Sequence, residues 1–136
     1  MTSPTAVALT GFIAWTLFLL VLMEGIRAKL VLTKALPANG FTPDNAKLSP
    51  FVQRLTRAHA NCLEGLPIFG GLMLVALATG RSSVTDPLAF VLLGARLVQS
   101  GIHLTSLSSS AVTLRFSAFA VQMGIAVVWA SQLLRS

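Results

Sequence analysis

The residues of this chain best suited to chemistry lie on one helix face. Arg57, Asn61 and Glu64 are spaced i, i+4 and i+7, which aligns them on one side of an α-helix, and Arg54 extends that side backwards. They offer a guanidinium fork, an amide that both donates and accepts, and a carboxylate. Such a set suits a ligand that bears carboxylates, an amine and peptide bonds. The same spacing also suits an intrahelical ion pair with a helix–helix hydrogen bond. Pro67 follows Glu64 by about one turn, where it removes a backbone donor and can kink the helix. Gly65, Gly70 and Gly71 allow close helix approach.

Other polar residues interrupt apolar stretches elsewhere. Arg115 opens the last of them, where it reads either as a snorkelling interfacial side chain or as a charge aimed at an anion beside a helix N-terminus. Arg96 falls inside an apolar run. Unpaired there it would cost roughly 2.5–3.5 kcal/mol on insertion scales, so a buried carboxylate, Glu64 or Glu24, is its expected partner. His103 reads as a packing histidine or as a ligand able to titrate near neutral pH. Arg27 and Lys29 compete as the charge nearest the end of the first apolar run. His59 reads as a residue facing headgroup water, and Cys62 as a small core residue. The scattered His59, His103 and Cys62 have no metal-ligand spacing, so no metal site is expected.

These residues need elements to hold them, and composition names the kind. The chain has 136 residues, 54% of them hydrophobic and only 10% charged, with mean hydropathy +0.80. A soluble domain is about 25% charged. The composition excludes a soluble fold, a disordered chain and a disulfide scaffold, and leaves a small integral membrane protein. Four spanning helices are expected, at about residues 6–28, 54–79, 87–107 and 112–134 of a single membrane domain. The first segment lacks a basic n-region and is read as retained rather than cleaved.

Charge orients the spans. The net charge of +6 taken alone suits nucleic acid, but the basic residues concentrate around one Pro- and Gly-broken loop, 27–53, as in a cytoplasmic membrane loop. Arg27, Lys29, Lys34, Lys47, Arg54 and Arg57 lie in it or beside it. The expected topology therefore has this loop in the cytoplasm and both termini opposite. It brings Glu24, Arg27, Arg57, His59, Asn61, Glu64, His103 and Arg115 to one depth near the cytoplasmic end. A polar layer at one membrane depth is costly unless paired, solvated or used for binding.

At this point the residues carry a resemblance. The segment FVQRLTRAHANCLEGLPIF, Phe51 to Phe69, resembles the second-helix signature of the MAPEG family, the membrane-associated proteins of eicosanoid and glutathione metabolism. Arg57, Asn61, Glu64 and Pro67 match its R-x-x-x-N-x-x-E-x-x-P pattern. His59 and Cys62 stand where members also carry polar or Cys residues. The four-span plan, the long basic first loop and the length fit as well. The resemblance implies an all-α integral membrane four-helix bundle that assembles as a homotrimer and binds glutathione between subunits near the cytoplasmic side. It implies Arg57, Asn61 and Glu64 as glutathione ligands, with His59, His103 and Arg27 (or Lys29) around them. It implies Arg115 as the residue that stabilises the glutathione thiolate. There are also departures. Relatives often place Tyr on the third helix, whereas this chain has no Tyr and His103 takes the equivalent place; beside Arg115 stands Phe116, which cannot donate a hydrogen bond.

The expected function is thus a membrane glutathione transferase, peroxidase or isomerase acting on a lipophilic electrophile that enters from the bilayer. The alternative is a non-catalytic trimer of the same architecture that serves as a scaffold. A small transporter or channel would need polar residues through the whole bilayer, and the first and fourth spans carry no charge.

Overall fold

Serine starts three of the four helices. Ser3, Ser49 and Ser108 each accept a hydrogen bond from the backbone N–H three residues on, at 3.2 Å from Ala6, 3.3 Å from Val52 and 3.1 Å from Ala111. Pro4 and Pro50 follow the first two caps, at the position where a missing N–H costs nothing. The computed structural model describes residues 3–106 and 108–135. Its helices are α1 (Pro4–Leu32), α2 (Pro50–Ala78), α3 (Ser82–Thr105) and α4 (Ser109–Leu134).

Each helix is long and apolar enough to cross a membrane, and the described residues include no strand. The shortest, α3, has 24 residues. At about 1.5 Å per residue it still exceeds a hydrocarbon core of about 30 Å. The boundaries differ from those read off the apolar runs. The second helix begins at Pro50 rather than Arg54, because the Ser–Pro cap outweighs the polar composition of that first turn. The third begins at Ser82, with Pro87 absorbed inside it. The expected end of the third span at Leu107 lies outside the described residues.

Pro67 does more than bend α2. Around it, Leu66–Gly70 form a π-helical turn between two α-helical stretches. A proline cannot donate to the regular ladder, and widening the turn absorbs the defect. Of the three glycines nearby, Gly65 is where contact is closest: a Cβ there would lie 2.8 Å from the Arg96 guanidinium on α3, whereas one on Gly71 would meet open space.

Helix α3 packs against all three others and turns Thr85, Ala89, Leu92, Arg96, Gln99, Ser100 and His103 inward. An apolar cluster of Phe12, Phe69, Met73, Leu92 and Trp129 fills one part of the bundle. A second, of Leu19, Met23, Leu55, Ala58 and Cys62, lies towards the first loop. Outward-facing Phe18, Val21, Phe90, Leu114 and Val127 are exposed, as lipid contact requires.

Arginines tie the ends together. Arg54 Nε donates to the Leu104 carbonyl at 2.8 Å, which fixes the start of α2 to the last turn of α3. At the other end Arg81 donates to the carbonyls of Gln132, Leu133 and Arg135, closing the C-terminus of α4. There too Asp86 accepts from the Thr5 N–H and hydroxyl at the start of α1. The long loop is pinned rather than loose. Arg27 donates to the Asn45 side-chain oxygen through Nε at 3.0 Å and Nη2 at 2.8 Å, and Asn45 donates to Thr56 at 2.7 Å. Asn45 is 1% exposed with φ +53°, a conformation asparagine tolerates better than most residues.

Candidate functional site

The α2 face forms one wall of the site. Arg57 and Glu64 are exposed on it, and His59 and Asn61 are half-buried. The intrahelical ion pair this spacing permits does not form. Among the described residues the one ion pair is Arg27–Glu24 at 2.9 Å, near the end of α1. Glu64 and Arg57 are therefore left exposed without a charged partner among the described residues.

Two adjoining cavities meet at Asn61. One, of about 220 Å³, is lined by Asn61, Gln99, Val112, Arg115, Phe116 and Phe119. The other, of about 170 Å³, is lined by Asn61, Glu64, Gly65, Ile68, Phe69 and Phe119. Asn61 and Phe119 belong to both. The Glu64 carboxylate of α2 thus lines one cavity and the Arg115 guanidinium of α4 the other, more than 50 positions apart in sequence, and the Asn61 amide borders both. Arg115 reaches this space from the second turn of α4, and its Nε is buried without a hydrogen-bond partner among the described residues. His103, 7% exposed on α3, lies within electrostatic reach of both Arg57 and Arg115. All of these come from the end of the bundle where Arg54 joins α2 to α3.

Other candidates fall outside the cavities. Arg57, His59 and His103 line neither. Arg27 stands at the root of the loop with all three guanidinium nitrogens engaged: Nε and Nη2 on Asn45, Nη2 also on the Thr42 carbonyl at 3.3 Å, and Nη1 on Glu24. Its guanidinium also sits 5.6 Å from the centre of the Phe41 ring. The geometry makes Arg27 an anchor of the loop.

Arg96 corrects an expectation. It is fully buried, yet no carboxylate meets it. Glu24 is taken by Arg27 three residues on, and Glu64 is exposed and makes no ion pair with Arg96. Instead Nη1 donates to Asn61 Oδ1 at 2.6 Å, and the guanidinium lies 5.2 Å and 5.7 Å from the ring centres of Phe12 and Phe69. Ring faces attract a desolvated cation by about 2 kcal/mol or more, so they offset part of the burial. Nε and Nη2 have no hydrogen-bond partner.

Two residues not singled out in the sequence complete the layer. Gln99 Nε2 donates to the same Asn61 oxygen at 2.9 Å, and Gln122 Nε2 on α4 donates to Gln99 Oε1 at 2.8 Å. The available signal was an amide inside an otherwise apolar span, three residues beyond Arg96 in one case and in mid-helix in the other. Cys62, fully buried, contacts Ser100 Oγ at 3.2 Å and behaves as a core residue. No group of three or more His, Cys, Asp or Glu that could hold a metal occurs among the described residues.

The fold and the site define an integral, multi-pass, all-helical membrane protein with a polar layer at one end of its bundle. Residues 5–135 match the MAPEG family, nearly the full length, and the chain belongs to that family. Membership implies a membrane protein of glutathione-related transferase, isomerase or related activity, in a family that also has non-catalytic members. No curated protein and no solved structure gives a significant match.

Proposed function

We propose that the protein is a membrane-embedded glutathione-dependent enzyme, a transferase or a peroxidase or isomerase using the same thiolate, acting on a lipophilic electrophile. The observation that carries this reading is the meeting of Asn61, Glu64 and Arg115 around two joined cavities whose other walls are largely apolar. The donor set fits glutathione. Arg57 and the Asn61 amide suit its carboxylates and peptide carbonyls, Glu64 suits its amine, and Arg115 suits the sulfur. His103 and His59 stand close enough in sequence to the α2 and α3 walls to serve as further contacts, and Arg27 shapes the loop beside them.

The role of Arg115 follows from electrostatics. A thiol of ordinary pKa, ~8.5, is mostly protonated at neutral pH, and the thiolate is the nucleophile. A fixed guanidinium in a site of low dielectric favours the charged form, and the nearby N-terminus of α4 adds to this. Phe116 and Phe119 limit water around the sulfur, which strengthens that attraction. Arg57 and Glu64 are exposed on a single chain, so a neighbouring subunit of a homotrimer is the natural cover for the peptide part of the ligand. The basic loop then faces the cytoplasm and both termini face the opposite side.

The test is direct. Replacing Arg57 or Glu64 with Ala should abolish glutathione binding by calorimetry in detergent; undiminished binding refutes the assignment. Arg115→Ala should still bind glutathione but lose the ultraviolet absorbance of its thiolate. The absence of Tyr and the presence of Phe116 favour a second reading, a non-catalytic scaffold of the same architecture. A trimer that binds neither glutathione nor another small thiol, and turns over no member of a broad electrophile panel, would support that reading instead.

A further inference from the structure

Asn61 could present either end of its amide to the cavities, and only the oxygen end can accept a hydrogen bond. Arg96 decides which. A guanidinium has donors and no acceptor, so the atom 2.6 Å from Arg96 Nη1 must be the amide oxygen. Gln99 then has to turn its own nitrogen to the same oxygen, at 2.9 Å, which leaves Gln99 Oε1 to accept from Gln122 Nε2 at 2.8 Å. The sense of three amides on α2, α3 and α4 thus follows from one buried cation. The Asn61 nitrogen meets no acceptor among the described residues, while Asn61 lines both cavities.

The surroundings hold Arg96 to this task. It is 0% exposed and flanked by the rings of Phe12 and Phe69, and Gly65 leaves room for its Nη2 where a Cβ would lie at 2.8 Å. No carboxylate meets it to divert it from the amide.

We infer that Arg96, seconded by Gln99, is a positioning residue: it locks the Asn61 amide with its oxygen inward, so that the site offers a pure donor there and selects a ligand group that accepts, a carboxylate or a peptide carbonyl. The selection of glutathione rests on the proposed function; the locking of the amide does not.

The chain has three asparagines, Asn39, Asn45 and Asn61, so protein labelled with ¹⁵N at asparagine gives a side-chain amide spectrum simple enough to assign, with Asn61→Asp removing one pair. In the full-length protein in detergent, Arg96→Met should shift the Asn61 pair towards the position of a solvent-exposed, freely oriented amide and leave the Asn45 pair in place. The Asn45 pair also reports that the variant is folded. Arg96→Lys, which keeps a donor, should restore most of the Asn61 position. In the same samples Arg96→Met should weaken glutathione binding about 10- to 100-fold, the scale of a lost hydrogen bond to a charged group. In an Asn61→Ala background it should weaken binding no further, because the residue it acts through is gone.

An Asn61 pair that does not move in Arg96→Met overturns the inference. So does an affinity loss of equal size in both backgrounds. If the amide pair moves as described while the native protein binds no glutathione, the positioning stands and the proposed function fails.

Discussion

Gly65→Ala is the sharpest single perturbation of this bundle. The added methyl would lie 2.8 Å from Arg96 Nη2, 3.0 Å from Phe69 Cε2 and 3.1 Å from Phe69 Cδ2. Contacts this short force a neighbour to move. A long side chain can usually swing away cheaply, but Arg96 is fully buried with Phe12 on one flank and Phe69 on another. Phe69 is itself 2% exposed and packed in the apolar cluster. Overpacking of this kind costs about 1–3 kcal/mol. If relief comes by displacing the guanidinium from Asn61, a hydrogen bond to a charged group is lost as well, about 1.5–3 kcal/mol. The destabilisation should therefore fall between roughly 1 and 6 kcal/mol, the low end if Phe69 yields and the high end if Arg96 does. Thermal unfolding in a fixed detergent, followed by circular dichroism, measures it. Gly71→Ala is the control, since a Cβ there meets nothing within 4 Å. A Gly65→Ala protein as stable as the native one would refute the close approach of α2 and α3 at this point.

Three further predictions concern the ends of the bundle. Asn45→Ala removes the acceptor of two Arg27 bonds and the donor to Thr56, so the loop should loosen by about 1–3 kcal/mol and become more sensitive to limited proteolysis; an unchanged cleavage rate would contradict the anchoring role of Arg27. Arg81→Ala uncovers the last carbonyls of α4, and amide hydrogen exchange in its final turn should accelerate while exchange in the turn after Ser108 stays constant. The Asp44 carboxylate, in the exposed loop, is held below its ordinary value of 3.8 by the Thr42 hydroxyl and the Ala46 N–H. A depressed acid contributes its stabilisation above the unfolded value and loses it as pH falls through the folded one. Exchange of the Ala46 amide should therefore quicken, relative to Asp44→Asn, only as the pH drops below about 4.

Membrane residence was legible because it depends on composition, and so were four spans and the prominence of the α2 face, because a helix fixes which residues share a side. The expected helix starts rested on apolar runs alone, and the polar first turn of α2 hid the start that Ser49 and Pro50 set. The fate of Arg96 was not legible. Its charge demanded a partner, and a carboxylate was the chemically obvious choice. Which partner it meets depends on rotation of α3 about its axis and on Glu24 having been claimed by Arg27, neither of which is local.

By itself the sequence determined the solvent, the number of crossings and the chemistry available on each helix, since these are properties of single segments. Only the tertiary structure decided that Asn61 borders two adjoining cavities, one lined by Glu64 and the other by Arg115, that Gln99 and Gln122 extend the polar layer, and that Arg27 serves the loop. Contacts between helices are set by how side chains of all four pack together, and a π-turn at Pro67 or a missing Cβ at Gly65 shifts them by more than any spacing along one chain can reveal.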